Sequence, residues 1–333
     1  MHTTIVIPAV TDHVISREPL EIFSQDVVRG LTASPKYLES KYFYDATGDR
    51  LFQQIMQCQE YYLTNCEMEI MTEQAADIAA AITSRIKAPF DLIELGPGDA
   101  TKSIHLLEQL LKTGTDYTYY PIDISANVIS SLEKELPEKL PGLQLHGLNG
   151  DYFDMLQQAA ALSRRPKALL LMGANIGNFT PVAARKFCRQ LRSCMQPGDL
   201  LLIGFDLKKH PQIILNAYND AAGITRAFNM NLLTRINREL QADFDLDAFE
   251  HYPVYDPGAG SCKSYLVSLA DQEVHIGHAD VTIQFQQYET LYMEISQKYS
   301  LEETEELALQ TGFRPDGCFK DTKGWFADCV WKA

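Results

Sequence analysis

The residues best placed to do chemistry gather around Asp91-Leu92-Ile93-Glu94-Leu95-Gly96-Pro97-Gly98-Asp99. A short apolar run ends there in a glycine turn and passes into a helical pattern, so the stretch reads as strand, ligand-gripping loop and helix. Gly96 and Gly98 let the backbone pass close to a ligand, and a helix opening near Ala100 brings amide donors and a positive dipole end to the same place. An anionic or zwitterionic ligand suits such a site. A dinucleotide loop wants G-x-G-x-x-G/A, whereas Thr101 holds the sixth position, which weakens a pyrophosphate reading.

Two further strand ends decide between cofactors. The apolar run 117–124 carries Asp123 at its end, where one carboxylate can take two ribose hydroxyls. The run 143–148 leads into Asn149-Gly150-Asp151-Tyr152, where Asp151 can accept from an adenine amino group. Each feature has a bland explanation by itself: glycine turns are commonly structural, and a strand-end Asp is often a helix cap. At successive strand ends, Glu94, Gly96, Gly98, Asp123 and Asp151 form the acidic adenosyl-binding set expected of an S-adenosylmethionine site.

The elements that must position these residues alternate in the doubly wound manner. Strands are expected near 90–95, 117–124, 143–148, 168–174 and 199–206, and their nearly continuous apolar character fits parallel strands covered on both faces. The fourth runs into Gly173-Ala174-Asn175-Ile176-Gly177-Asn178-Phe179-Thr180-Pro181. Ligands of open α/β sheets sit beyond the carboxyl ends of the strands, so this loop should lie beside the group being transferred. Asn178 offers a carbonyl to a substrate amine, or else forms a turn before a helix opened by Pro181.

Before the alternation, the first dozen residues read as a loose extension, and helical spacing is expected over 19–31, 49–57 and 67–86. After it, helical patterns fill 210–240, a β meander 264–297, a helix 301–312 and a closing strand 324–331. Sheet, interruption and return divide the chain into a cofactor-binding domain, 65–207 plus 297–333, and a substrate-binding domain, 15–64 plus 208–296. Asp243-Phe244-Asp245-Leu246-Asp247 invites a calcium-loop reading that fails, because Ala248 stands where the loop needs Gly and Val254 where it needs a bidentate Glu. His275-Ile276-Gly277-His278 reads as part of a hairpin, and no metal site is expected.

The 333 residues are enough for a sizeable core and give about two domains or one large one. A net charge of -15 without a basic run argues against tracking nucleic-acid phosphates. With no bilayer-length apolar stretch and no basic region ahead of an apolar one at the start, a cytoplasmic monomer acting on a small molecule is expected, with no membrane partner. Seven cysteines, an odd number without a C-x-x-C pair, are expected to be reduced and mostly packing residues.

From about residue 20 to its end the chain resembles the L-histidine Nα-methyltransferases of ergothioneine biosynthesis. Phe43-Tyr44-Asp45, Glu60-Tyr61-Tyr62, Glu94-Leu95-Gly96, Ile176-Gly177-Asn178, Ala217-Tyr218, Asn237-Arg238-Glu239-Leu240, the run 242–251 and Glu294-Ile295-Ser296 carry the likeness. The resemblance implies an α/β fold: a class I S-adenosylmethionine-dependent methyltransferase domain with a Rossmann-like doubly wound sheet, a second α+β domain that binds the amino acid, and the active site between them. It implies cofactor contacts at Gly96, Lys102, Asp123, Asp151 and Tyr152, beside Gly98 from the turn itself. It implies histidine contacts at Tyr61, Gly173, Asn178, Tyr218, Glu294 and Ser296, with Tyr44 lining the same pocket and Tyr44 and Asn178 serving the transfer. Ser264 departs from the pattern, standing in the pocket wall where the bacterial enzymes compared carry Met. The expected product is the trimethylated betaine, hercynine. Another amino acid such as tryptophan, or S-adenosylmethionine binding without catalysis, are the alternatives.

Overall fold

The computed structural model describes residues 17–87 and 89–333. The loose extension expected over the first dozen residues, and the start of the substrate domain at residue 15, lie outside them. In chain order, α1 (Arg17–Thr32), β1 (Lys36–Tyr37), α2 (Ala46–Gln57), α3 (Tyr62–Glu73) and α4 (Ala75–Arg85) lead into the alternating region. That region runs β2 (Phe90–Leu95), α5 (Ser103–Lys112), β3 (Tyr117–Asp123), α6 (Ala126–Lys139), β4 (Gln144–Leu145), β5 (Leu148–Asn149), α7 (Tyr152–Leu162), β6 (Lys167–Leu171), α8 (Pro181–Ser193) and β7 (Leu200–Asp206). Then come α9 (Pro211–Ala217), α10 (Ile224–Leu240), β8 (Phe249–Asp256), β9 (Ser261–Ser268), β10 (Gln272–Ile276), β11 (Val281–Phe285) and β12 (Thr290–Gln297). The chain closes with α11 (Leu301–Gln310), β13 (Arg314–Lys320) and β14 (Phe326–Lys332).

Two compact units divide the chain. The larger comprises Leu51–Thr225, Pro253–Ser264 and Ile295–Ala333; the smaller takes the described residues up to Arg50, with Arg226–Tyr252 and Tyr265–Glu294. The larger unit holds a sheet in the order β13-β14-β7-β6-β2-β3-β4, with β5 also pairing β3. The strands β2 to β7 run parallel, while β14 is antiparallel to β7 and β13 to β14. Alternation along each strand sends side chains to opposite faces. Leu92, Leu170 and Leu202 join one core with residues of α3, α4 and α5, and Ile93, Leu169, Leu171 and Ile203 join another with residues of α7, α8 and α11. Burial on both faces is why these runs lack a polar alternation in the sequence.

Several boundaries differ from expectation for local reasons. The helix expected over 67–86 is two, because Gln74 leaves helical geometry at φ -120 and ψ 13. The helical region 210–240 is also two, separated where Asp220 accepts from the amides of Ile224 and Thr225 at 2.8 and 2.7 Å and so starts α10 afresh. The strand expected over 143–148 is two short pieces, β4 and β5, and β13 went unforeseen. The cysteine expectation is corrected outright. Cys318 and Cys329 face each other across β13 and β14 with Cα atoms 4.1 Å apart and are joined in a disulfide, while Cys58, Cys66, Cys188, Cys194 and Cys262 stay outside any disulfide. Hairpin register makes that pair, and a spacing of 11 residues gives no hint of it.

In the smaller unit Phe23, Val27 and Leu31, four apart along α1, are all buried. Phe244, Phe249 and Phe285 pack edge to face or tilted with centroids 5.3–6.2 Å apart. The division between units falls within β8, β9 and β12. These strands pair in the order β1-β12-β9-β8, and β10 with β11 forms a separate hairpin around His275.

Candidate active site

The glycine turn follows β2 directly. Gly96, Gly98 and Ala100 all have positive φ, at 70, 57 and 55°, so the chain reverses tightly and α5 begins only at Ser103 rather than near Ala100. A Cβ on Gly96 would come within 2.7 Å of the Tyr152 hydroxyl, and one on Gly98 would meet nothing within 4 Å. Gly96 is thus required by Tyr152, while the space beside Gly98 is open to a ligand. Burial, together with the nearby Asp123 and Asp151 carboxylates, pushes the Tyr152 hydroxyl up to about 12. Hence Gly96, Asp123, Asp151 and Tyr152 come together at the carboxyl ends of β2, β3 and β5. Asp123 Oδ1 accepts from the Ser125 amide at 2.8 Å, and Asp151 Oδ1 caps α7 by accepting from the Phe153 amide at 2.9 Å. Both carboxylates are oriented by the backbone amides two residues after them.

Glu94 is corrected. Expected in the adenosyl-binding set, it lies beneath the turn, 2% exposed, and accepts from the Tyr119 hydroxyl at 2.5 Å. Burial pushes its carboxyl up to about 7 despite that bond.

Lys102 is tied to Glu67 of α3 by a close ion pair, and the other Glu67 oxygen accepts from the Gly173 amide at 2.7 Å. One fully buried carboxylate therefore links an expected cofactor contact to an expected substrate contact. Burial pulls the Lys102 ammonium down, but Glu67 outweighs it and holds it above its usual value. Asp328 converges on the same place: a Cβ on Gly204 would lie 2.7 Å from Glu67 Oε1 and 3.1 Å from Asp328 Oδ1. Burial first, then the Glu67 charge, raise the Asp328 carboxyl well above the carboxylate range.

The loop after β6 turns at Gly173, φ 74°, and Ala174, φ 56°, into a 3-10 helix, Asn175–Asn178. Asn178 is its last residue and is exposed. Tyr218 ends α9, its ring 6.3 Å from that of Tyr61, which also packs edge-on to Phe52 at 6.4 Å. The Tyr218 hydroxyl donates to Ser296 Oγ at 2.6 Å. Behind them Lys298 Nζ donates to Tyr218 Oη at 2.7 Å and Ser296 Oγ at 2.8 Å, and pairs with Asp206 at 2.6 Å. Asp206 also pairs with Lys209 and accepts from Tyr62 at 2.8 Å. Ser264, on β9, is 1% exposed.

Tyr44 and Glu294 belong to the smaller unit. There the Tyr44 ring lies 5.8 Å from Phe228, and the neighbouring Asn229 Nδ2 donates to Glu294 Oε1 at 3.3 Å. Asp45 fixes the segment, accepting from the Gly48 amide, Asn231 and Arg238 at 2.7–2.8 Å.

Sequence reasoning missed Glu67, Asp328, Asp206 and Lys298. For Lys298 one signal existed: Glu294, Ser296 and Lys298 keep a period of two. The others carry no local signature.

A parallel sheet with an antiparallel edge pair, a glycine turn after β2, and carboxylates at the next two strand ends define an S-adenosylmethionine-dependent class I methyltransferase. The chain belongs, more narrowly, to the family described as histidine-specific methyltransferase, SAM-dependent, whose model matches residues 23–333. It is 36% identical to the histidine N-alpha-methyltransferase of Mycolicibacterium smegmatis, over 92% of this chain and 93% of that one. It is also 36% identical to that of Mycobacterium tuberculosis, over 83% and 84%. A 4-dimethylallyltryptophan N-methyltransferase of Trichophyton verrucosum is 28% identical, over 92% and 90%. Among the described residues no helix is long and apolar enough to cross a membrane, and no group of three or more His, Cys, Asp or Glu could hold a metal ion.

Proposed function

We propose that this enzyme methylates the α-amino nitrogen of free L-histidine, three times in succession, to give hercynine for ergothioneine biosynthesis. The observation that supports this most is the polar pair on β12. Glu294 and Ser296 are two residues apart, so their side chains share a face, and each is held by hydrogen bonds of its own, to Asn229 and to Tyr218 and Lys298. A carboxylate that accepts from one imidazole N–H and a hydroxyl that serves the other nitrogen give histidine a partner at both ring positions. The identity to two histidine N-alpha-methyltransferases supports the same reading. Ser264 in place of Met changes chiefly packing and volume, so we assign it an influence on affinity rather than choice.

The open turn at Gly98 and the carboxylates at the following strand ends fit S-adenosylmethionine, which Gly96, Gly98, Lys102, Asp123, Asp151 and Tyr152 would hold. When bound, it supplies an electrophilic methyl group on a sulfonium. The protein's own part is alignment and exclusion of water, because an in-line displacement by a neutral amine needs no strong base at its centre. Asn178 accepts from an amine N–H in the first two transfers and so orients the lone pair, with Gly173 beside it; each of those two transfers releases one proton to solvent, and the third, on a tertiary amine without N–H, releases none. Tyr61 and Tyr218 hold the amino-acid end of the substrate. The ring faces of Tyr44 and Tyr61 stabilise the increasingly alkylated cation, which favours a trimethylated product. A cofactor-binding domain of 65–207 with 297–333, a substrate-binding domain of 15–64 with 208–296, a cytoplasmic location and a monomeric state without nucleic-acid partners belong to the same proposal.

The test compares kcat/KM for histidine, tryptophan, tyrosine and phenylalanine in the wild type and in Glu294→Ala, with mass spectrometry of the products. Histidine should lead in the wild type, lose its lead in Glu294→Ala and end as the trimethylated compound. A wild type that prefers tryptophan, or a monomethyl product that is never consumed, would refute the proposal.

A further inference from the structure

Lys298 is fully buried, and its ammonium has three N–H donors for three oxygens: Tyr218 Oη at 2.7 Å, Ser296 Oγ at 2.8 Å and Asp206 Oδ2 at 2.6 Å. None is left over. A serine hydroxyl has two acceptor lone pairs and one proton. Ser296 Oγ accepts from both Lys298 and the Tyr218 hydroxyl, at 2.8 and 2.6 Å, so its lone pairs are spent and its proton is what it can offer a ligand. We infer that Lys298, anchored by Asp206, is a positioning residue that makes Ser296 an obligate hydrogen-bond donor, so that the site selects a substrate side chain bearing a bare acceptor nitrogen. The inference rests on the histidine reading above and deepens it.

The selection follows from what each side chain presents. A neutral imidazole has one N–H and one unprotonated nitrogen, and the second meets the Ser296 proton. An indole offers only an N–H, a phenyl or thienyl ring offers neither, and each would leave a buried O–H without an acceptor, a loss that discriminates strongly. Without the ammonium, one Ser296 lone pair is vacated while the Tyr218 hydroxyl keeps the other, and Ser296 could then accept from a ligand N–H as well as donate. Asp206 would not be stranded by this change, since Lys209 and Tyr62 still contact it.

The discriminating experiment uses Lys298→Met and measures calorimetric Kd values for histidine and β-(2-thienyl)alanine, a five-membered ring without nitrogen, on protein saturated with S-adenosylhomocysteine. Histidine affinity should fall about tenfold, with thienylalanine changed less than about threefold, S-adenosylhomocysteine affinity unchanged, and the turnover loss in KM rather than kcat. Lys298→Gln, which keeps N–H donors, should recover part of the preference. Equal loss for both ligands would overturn the role of Lys298 and leave the histidine reading intact. A wild type that binds thienylalanine as well as histidine would overturn the histidine reading and the inference with it. Loss of S-adenosylhomocysteine binding in both Lys298 variants would make Lys298 a folding residue and likewise overturn the inference.

Discussion

Replacing Glu67 with Gln removes one charge from a buried cluster whose members compensate one another. The amide oxygen can keep the bond to the Gly173 amide, but the Lys102 ammonium loses its partner. Stranding a buried charge of a pair costs about 3–5 kcal/mol. Asp328 lowers that figure. Its carboxyl is raised well above the carboxylate range, first by burial and then by the Glu67 charge. With the Glu67 charge gone, Asp328 can ionise and face Lys102 in its stead, so Glu67→Gln should cost only about 1–2 kcal/mol. Asp328→Asn alone leaves the Glu67–Lys102 pair intact and should change stability by less than about 1 kcal/mol. The double variant has no carboxylate to replace Glu67 and should lose the full 3–5 kcal/mol or so, a coupling of roughly 2 kcal/mol beyond the sum of the single changes. Urea denaturation of the four proteins at pH 7.5, followed by far-UV circular dichroism, measures these values. Additive losses, or a single Glu67→Gln as costly as the double variant, would refute the compensation.

Asp123→Ala should weaken S-adenosylmethionine binding by roughly 1.5–3 kcal/mol through lost charge-assisted ribose hydrogen bonds; unchanged calorimetric affinity would remove Asp123 from the site. Glu94 gives a pH dependence of defined sign. Its carboxyl is raised from 4.5 to about 7, chiefly by burial, so between those values the folded protein keeps a proton that the unfolded chain has released. Its contribution to stability is full below pH 4.5 and is lost as pH rises through about 7, amounting to roughly 3 kcal/mol. Glu94→Gln, which stays neutral, should flatten the fall in unfolding free energy between about pH 5 and pH 8; an unaltered slope in the variant would count against a protonated Glu94.

How much of this could be read beforehand depends on how far apart along the chain the cause of each feature lies. The strands β2, β3, β6 and β7 were legible because burial on both faces writes a continuous apolar run into five to seven consecutive residues. The glycine turn and the strand-end carboxylates were legible for the same reason: positive φ at Gly96 and Gly98, and the caps made by Asp123 and Asp151, are settled within two or three residues. The sequence by itself therefore determined the alternating sheet and the glycine turn, and its likeness to a known family supplied the proposed substrate residues. Only the tertiary structure decided which charges stand behind them. Glu67 meets Lys102 and Gly173 across 35 and 106 residues, Lys298 meets Tyr218 across 80, and Cys318 meets Cys329 through a hairpin register. Glu94 shows the limit most plainly. Its place at a strand end suggested a ligand, but the neighbouring strand's Tyr119 takes its carboxylate into the interior. Such pairings are set when sheet and helices pack, because a buried charge is tolerated only where the fold has already assembled its partners.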